Sequence, residues 1–186
     1  TGDVPESLRK PRSTFYKFFS PSFKLAVTAS ALEPRVTAES FLTVTLDKAR
    51  LAVRGDFKFD VTRAGIFTVP LRLPAGFNVD DVQCDAMDHH ETAADGEGQV
   101  LTVYLTKKVL GQLKLAVVVS QPSTMKSGDL ELPLLEPLNV LREQGLVAAI
   151  APDSLEVNSD PTKLESARPA TPADLAARGF TPQPPT

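Results

Sequence analysis

The stretch LAVRGDFKFDVTRAGIFTVPLRL, residues 51–73, places Leu51, Val53, Gly55, Phe57, Phe59 and Val61 at successive odd positions, with Arg54, Asp56, Lys58 and Asp60 between them. Neighbouring side chains of a strand point to opposite faces, so this period of two describes a strand with one buried face. A helix would scatter the same residues around its circumference. After Thr62-Arg63-Ala64-Gly65, a short glycine-bearing link, Phe67, Val69, Leu71 and Leu73 resume the alternation, and the two runs are expected to pair as a hairpin. Pro70 falls on the outward face and has no N–H to donate, which marks the second run as an edge or bulged strand.

Working outward, the same pattern recurs. Leu101, Val103 and Leu105 alternate with Thr102, Tyr104 and Thr106; a polar link covers residues 107–112; then Leu113, Leu115, Val117 and Val119 alternate again, giving a second expected hairpin. Weaker strands are expected at Phe23–Ser30, Phe41–Leu46, Val79–Ala86, Leu130–Leu135, Leu146–Ala151 and Leu155–Val157. Short strands with one apolar face, separated by Gly/Pro turns, predict an all-β chain: an antiparallel β-sandwich of about nine or ten strands. A short C-terminal helix is expected after Thr171, with Pro172 at its first position and Gly179 as its stop.

Composition limits what this sandwich can be part of. A chain of 186 residues, 42% of them hydrophobic, can bury one sizeable core. Residues 1–14 then read as an N-terminal linker or wrapping segment, 15–157 as the sandwich domain and 158–186 as a proline-rich C-terminal segment. A formal net charge of −3 gives no overall attraction to phosphate backbones, so no nucleic acid partner is expected. A single cysteine excludes an internal disulfide framework. No run approaches the roughly 20 apolar residues of a membrane helix, so no membrane insertion is expected in this segment. The start at Thr1, without a methionine or a signal-like stretch, suggests a mature protein or a module excised from something longer.

Chemistry-bearing residues concentrate in CDAMDHHETAADGEGQ, residues 84–99, which holds Cys84 and both histidines. Their types suit a metal, with Asp88, His89, His90 and Glu91 as the candidate ligands. Strand alternation divides them, however: as a continuation of the Val79 strand, Cys84, Asp88 and His90 face one way and His89 and Glu91 the other. Cys84 to His90 would span about 20 Å. Asp95-Gly96-Glu97-Gly98 has turn chemistry, so the segment reads mainly as a solvated hairpin end.

Arg54-Gly55-Asp56 spells an integrin-like tripeptide but falls mid-strand, where it is expected to be a chance match. Between residues 9 and 23, cations interleave with five aromatic rings, which are expected to anchor the entering chain rather than bind nucleic acid or lipid. There is no nucleophile elbow and no phosphate loop, Asp80 and Asp81 point apart, and neither catalysis nor a cofactor is expected. Tyr104, outward beside Thr102 and Thr106, is the candidate ligand-binding residue should the sandwich bind carbohydrate.

The text from Leu135 to Ile150, LEPLNVLREQGLVAAI, followed by Ser154-Leu155-Glu156-Val157, resembles modules of large uncharacterised exported bacterial proteins, as does Leu71-Arg72-Leu73-Pro74-Ala75-Gly76-Phe77-Asn78-Val79. The resemblance rests on turns and strand punctuation and carries over no functional residue. It implies a non-catalytic β-sandwich unit in a long extracytoplasmic polypeptide, in the periplasm or at the cell surface, whose partners are neighbouring domains or another protein. The alternative is a ligand-binding sandwich for carbohydrate or a divalent metal.

Overall fold

A computed structural model describes residues 5–6, 13–47, 49–96, 98–123, 130–152, 167–171 and 173–174. Among them are seven strands: β1 (Arg35–Leu46), β2 (Arg50–Leu73), β3 (Asn78–Gln83), β4 (Met87–Asp95), β5 (Gly98–Pro122), β6 (Glu136–Pro137) and β7 (Arg142–Ile150).

The two expected hairpins are instead two very long strands. β2 runs for 24 residues and β5 for 25, and they pair antiparallel from Arg50↔Pro122 to Leu73↔Gln99. At about 3.3 Å per residue either would reach roughly 80 Å if straight, far beyond the height of a small domain. They bend instead. Register shifts fall between Val61 and Thr68: residues 62–65 of β2 stand against Leu110 alone, and residues 105–108 of β5 stand against Phe67. Arg63 (φ 68°) and Gly111 (φ 96°) take the left-handed conformation that such bulges need. The sequence links Thr62–Gly65 and Lys107–Gln112 therefore mark corners. Turn chemistry and bulge chemistry use the same residues, while odd-numbered positions stay inward on both sides of each bend because a strand curving around a core keeps its concave face.

The bends divide the pairing into two layers. In the first, the N-terminal half of β2 lies between β1 and the C-terminal half of β5, with β3 and β7 outside them; in the second, the C-terminal half of β2 pairs with β6 and with the N-terminal half of β5, which also carries β4. Val53, Phe57, Phe59 and Leu115 from the first layer share one core with Leu71, Leu101, Val103 and Leu135. This is an all-β sandwich, and counting β2 and β5 once in each layer recovers the expected number of strands. It is mixed rather than wholly antiparallel, because β7 joins β1 in parallel. Residues 138–141 make that crossing: Leu138 N–H donates to Pro70 O at 3.0 Å in one layer and Leu141 N–H to Val36 O at 2.7 Å in the other.

Other expectations need correction. Leu130–Leu135 forms no strand, and only Glu136–Pro137 pairs. Residues 84–86 form a turn closed by Met87 N–H to Cys84 O at 3.1 Å, so residues 87–95 are a separate strand and not a continuation of β3. Leu155–Val157 lies outside the described residues, as does most of the segment expected to be a C-terminal helix. Within that segment Thr171 N–H donates to Asp174 Oδ2 at 2.7 Å and Asp174 N–H donates back to Thr171 Oγ1, the reciprocal pattern of a cap. Arg168, and after it Thr171, holds the Asp174 carboxyl well below the usual carboxylate range.

The chain divides into two units, Thr1–Ala31 and Leu32–Thr186. The expected strand at Phe23–Ser30 is absent from the first: its described residues form no ladder. Phe18 and Phe23 stack with centroids 4.3 Å apart, and Lys17 Nζ lies 5.5 Å from the Phe19 ring centre.

Candidate functional site

The candidate residues of the 84–99 segment meet on the β4–β5 ladder. Counted outward from the Asp95↔Gly98 pair beside the turn, antiparallel register sets Glu91 opposite Thr102, His90 opposite Val103 and His89 opposite Tyr104. His89 and Glu91 thus share one face, as expected, and Tyr104 lies on it; Asp88, expected on the side of His90, instead reaches His89. The His89 and Tyr104 rings stack nearly parallel, 8° apart with centroids at 4.5 Å, and Tyr104 Oη donates to Glu91 Oε2 at 3.4 Å. A register shift between Met87 and His89 makes Asp88 the extra residue of a bulge. That shift lets its carboxylate reach His89 Nδ1 at 2.9 Å despite adjacency in sequence. His89 Nε2 lies 3.9 Å from Glu91 Oε1.

This patch gathers two rings and two carboxylates at the surface. His90 faces the opposite way, and Cys84 sits in the turn and packs against the edge of the core. Among the described residues no three His, Cys, Asp or Glu side chains are grouped to hold a metal ion. The stack of His89 on Tyr104 was not anticipated from sequence, although the turn at Asp95-Gly96-Glu97-Gly98 was. Extending that turn's register by six residues on each arm would have found it.

Other singled-out motifs are occupied structurally. Arg54 donates from Nε and Nη2 to the two Asp56 oxygens, both at 3.1 Å, in the middle of β2. Gly55 lies on the inward face, where an added Cβ would come within 2.6 Å of the Phe57 ring and 2.8 Å of Leu135. The tripeptide is not presented at a loop. Asp80 pairs with Arg50 at 2.7 Å while Asp81 accepts from Gln83 at 2.6 Å, so the adjacent carboxylates separate. Between β1 and β7, Ser40 Oγ donates to Glu143 Oε1 at 2.8 Å. Desolvation raises that carboxyl above its ordinary pKa, the Ser40 hydrogen bond opposes this, and Glu136 adds repulsion in the same direction as desolvation.

Two apolar surfaces remain. An open groove of about 360 Å³ runs along the β2 bend, between Val36 and Phe59 on one side and Ile66, Pro70 and Leu138 on the other. In the first unit, Phe15, Tyr16, Phe18 and Phe23 are each at least half exposed, and Phe19 (88%) and Val27 (74%) more so.

No family model and no curated protein matches the chain. Among solved structures, it is similar to a non-cellulosomal cohesin from Archaeoglobus fulgidus, at 14% identity over 62% of this chain and 91% of that one, with a TM-score of 0.37. The seventh ScaB type I cohesin from Pseudobacteroides cellulosolvens is similar at 11% identity over 68% and 99%, TM-score 0.40. An M1 zinc metallopeptidase from Deinococcus radiodurans matches at 15% over 48% of this chain but only 20% of its own, TM-score 0.34. All three scores lie below 0.5, and the two-layer assignment stands on this chain's own strand pairing and shared core.

Proposed function

We propose that the chain is a non-catalytic structural and interaction module of a longer, extracytoplasmic polypeptide, working through its surfaces against neighbouring domains or another protein. One observation carries this: Phe15, Tyr16, Phe18, Phe19, Phe23, Leu25 and Val27 crowd a single short segment and are all about half exposed or more. Scattered exposed hydrophobics need no explanation, but a contiguous set of large ones is costly to leave in water and marks a contact surface. Hydrogen exchange tests the reading. Amides of residues 13–31 are expected to exchange fast in the isolated chain, where no ladder protects them, and to slow when the chain is measured within its parent polypeptide. Equal exchange in both would overturn the module reading.

A second reading, a ligand-binding sandwich for carbohydrate, is favoured by the surface cluster of His89, Tyr104, Asp88 and Glu91. Sugars stack on aromatic faces, and their hydroxyls donate to carboxylates. A melting shift with a glycan panel that His89→Ala and Tyr104→Ala abolish would establish it; no shift with any glycan would remove it.

A further inference from the structure

Residues 23–30, FKLAVTAS, carry the sequence signature of a strand without the pairing of one. Phe23, Leu25 and Val27 alternate with Lys24, Ala26 and Thr28, the period that elsewhere in this chain marks a buried strand face. Yet these three are 53%, 49% and 74% exposed, and no ladder includes them. β4 presents the complementary lack. It pairs with β5 on one side only, and eight of its nine residues are exposed, leaving a row of backbone donors and acceptors unpaired among the described strands.

Charge separates the two elements. From Ser7 to Leu32 the sequence has Arg9, Lys10, Arg12, Lys17 and Lys24 and no Asp or Glu; from Leu73 to Thr106 it has Asp and Glu throughout and no Lys or Arg. Along β4 the short Thr92, Ala93 and Ala94 leave both faces low enough for larger neighbouring side chains.

We infer that residues 23–30 add as a strand to the free edge of β4 in a second copy of this chain, with Lys17 and Lys24 meeting the acidic side chains of β3 and β4. Backbone hydrogen bonds to the edge supply pairing, Phe23, Leu25 and Val27 extend the second layer's apolar face beside Met87, and charge selects this edge over β7. The inference rests on the interaction-module reading and names its partner.

Sedimentation velocity of the full chain over a dilution series tests it. A dimer is expected at low salt that weakens as salt rises, because the guiding charges are exposed. Lys17→Glu with Lys24→Glu, or Asp88→Lys with Glu91→Lys, weakens association about tenfold or more, and all four changes in one chain restore it. Leu25→Pro leaves every charge in place but removes a ladder N–H, and it also abolishes the dimer. A chain that stays monomeric throughout overturns the inference; so does a dimer indifferent to these changes, or one lost only on Val147→Lys in the β7 edge. If the monomer nonetheless gains protection at residues 13–31 within the parent polypeptide, the module reading survives while the second copy is excluded.

Discussion

Leu51–Val61 and Phe23–Ser30 have the same period of two and opposite fates. In the first, Val53, Phe57 and Val61 are at most 1% exposed, flanked by β1 on one side and β5 on the other. In the second, Phe23, Leu25 and Val27 face solvent. Alternation specifies which face of a strand is apolar; it does not supply the neighbour that covers it. Leu51–Val61 has neighbours on both sides within the chain, so its pattern is realised, whereas residues 23–30 hold theirs in reserve.

The sharpest way to break this contrast is to remove one ring from each. Phe57→Ala empties a fully enclosed position between the layers and is expected to cost about 3–5 kcal/mol. Phe23→Ala in the isolated chain should stay within about 0.5 kcal/mol. Urea melts of the two variants decide it, and similar losses would mean that Phe23 is part of the folded core after all.

Gly55 sharpens the same comparison from the other direction. A larger residue inside a strand ordinarily gains about 0.5–1 kcal/mol over glycine, but here the new side chain would press on Phe57 and Leu135. Overpacking costs about 1–3 kcal/mol, so Gly55→Val should destabilise. Leu135→Ala in the same chain should recover part of that loss. Thermal melts showing Gly55→Val neutral would mean that Leu135 is not seated against β2.

How far the sequence could be read follows from the same distinction. Faces were legible almost everywhere: the inward odd positions of β2 and β5, Leu42 and Val44 of β1, and the shared side of His89 and Glu91 all follow from alternation. Connections were not. Thr62–Gly65 reads as a hairpin link from sequence because glycine and small polar residues serve bulges and turns alike, and only the length of pairing with β5 separates the two. β4 was hidden for a different reason. MDHHETAAD has no apolar face to betray it, since an edge strand with exposed sides needs none, and its existence depends on β5 offering a ladder. The candidate site was half legible: the residues and their faces were named, but the stack of His89 on Tyr104 required a register that alternation alone does not set.

β1 shows a smaller mismatch, on the face opposite the shared core. Thr43 is fully buried, yet its hydroxyl has no hydrogen-bond partner among the described residues. An unmet buried hydroxyl costs about 1–3 kcal/mol, while Thr→Val keeps the shape and the β-branched preference for a strand. Thr43→Val is therefore expected to raise stability by about 1 kcal/mol. A denaturant midpoint that falls instead would show that the hydroxyl is satisfied in solution, for instance by a bound water.

The smallest effect lies on β7, where buried and exposed character meet. Glu143 has a raised carboxyl pKa because its surroundings on the β1 side desolvate the charge more than the Ser40 hydroxyl supports it. A group whose folded pKa is raised stabilises the fold below its unfolded pKa, and that contribution is lost as pH rises through the folded value. Glu143→Gln should therefore match the parent chain in acid, where both side chains are neutral, and become slightly the more stable of the two as pH climbs above the ordinary carboxylate range. Stability measured against pH for both chains reads the sign directly. A gap that opens in the parent's favour would mean that the hydrogen bond from Ser40 outweighs desolvation, and that this margin of β7 is wetter than its position beside β1 implies.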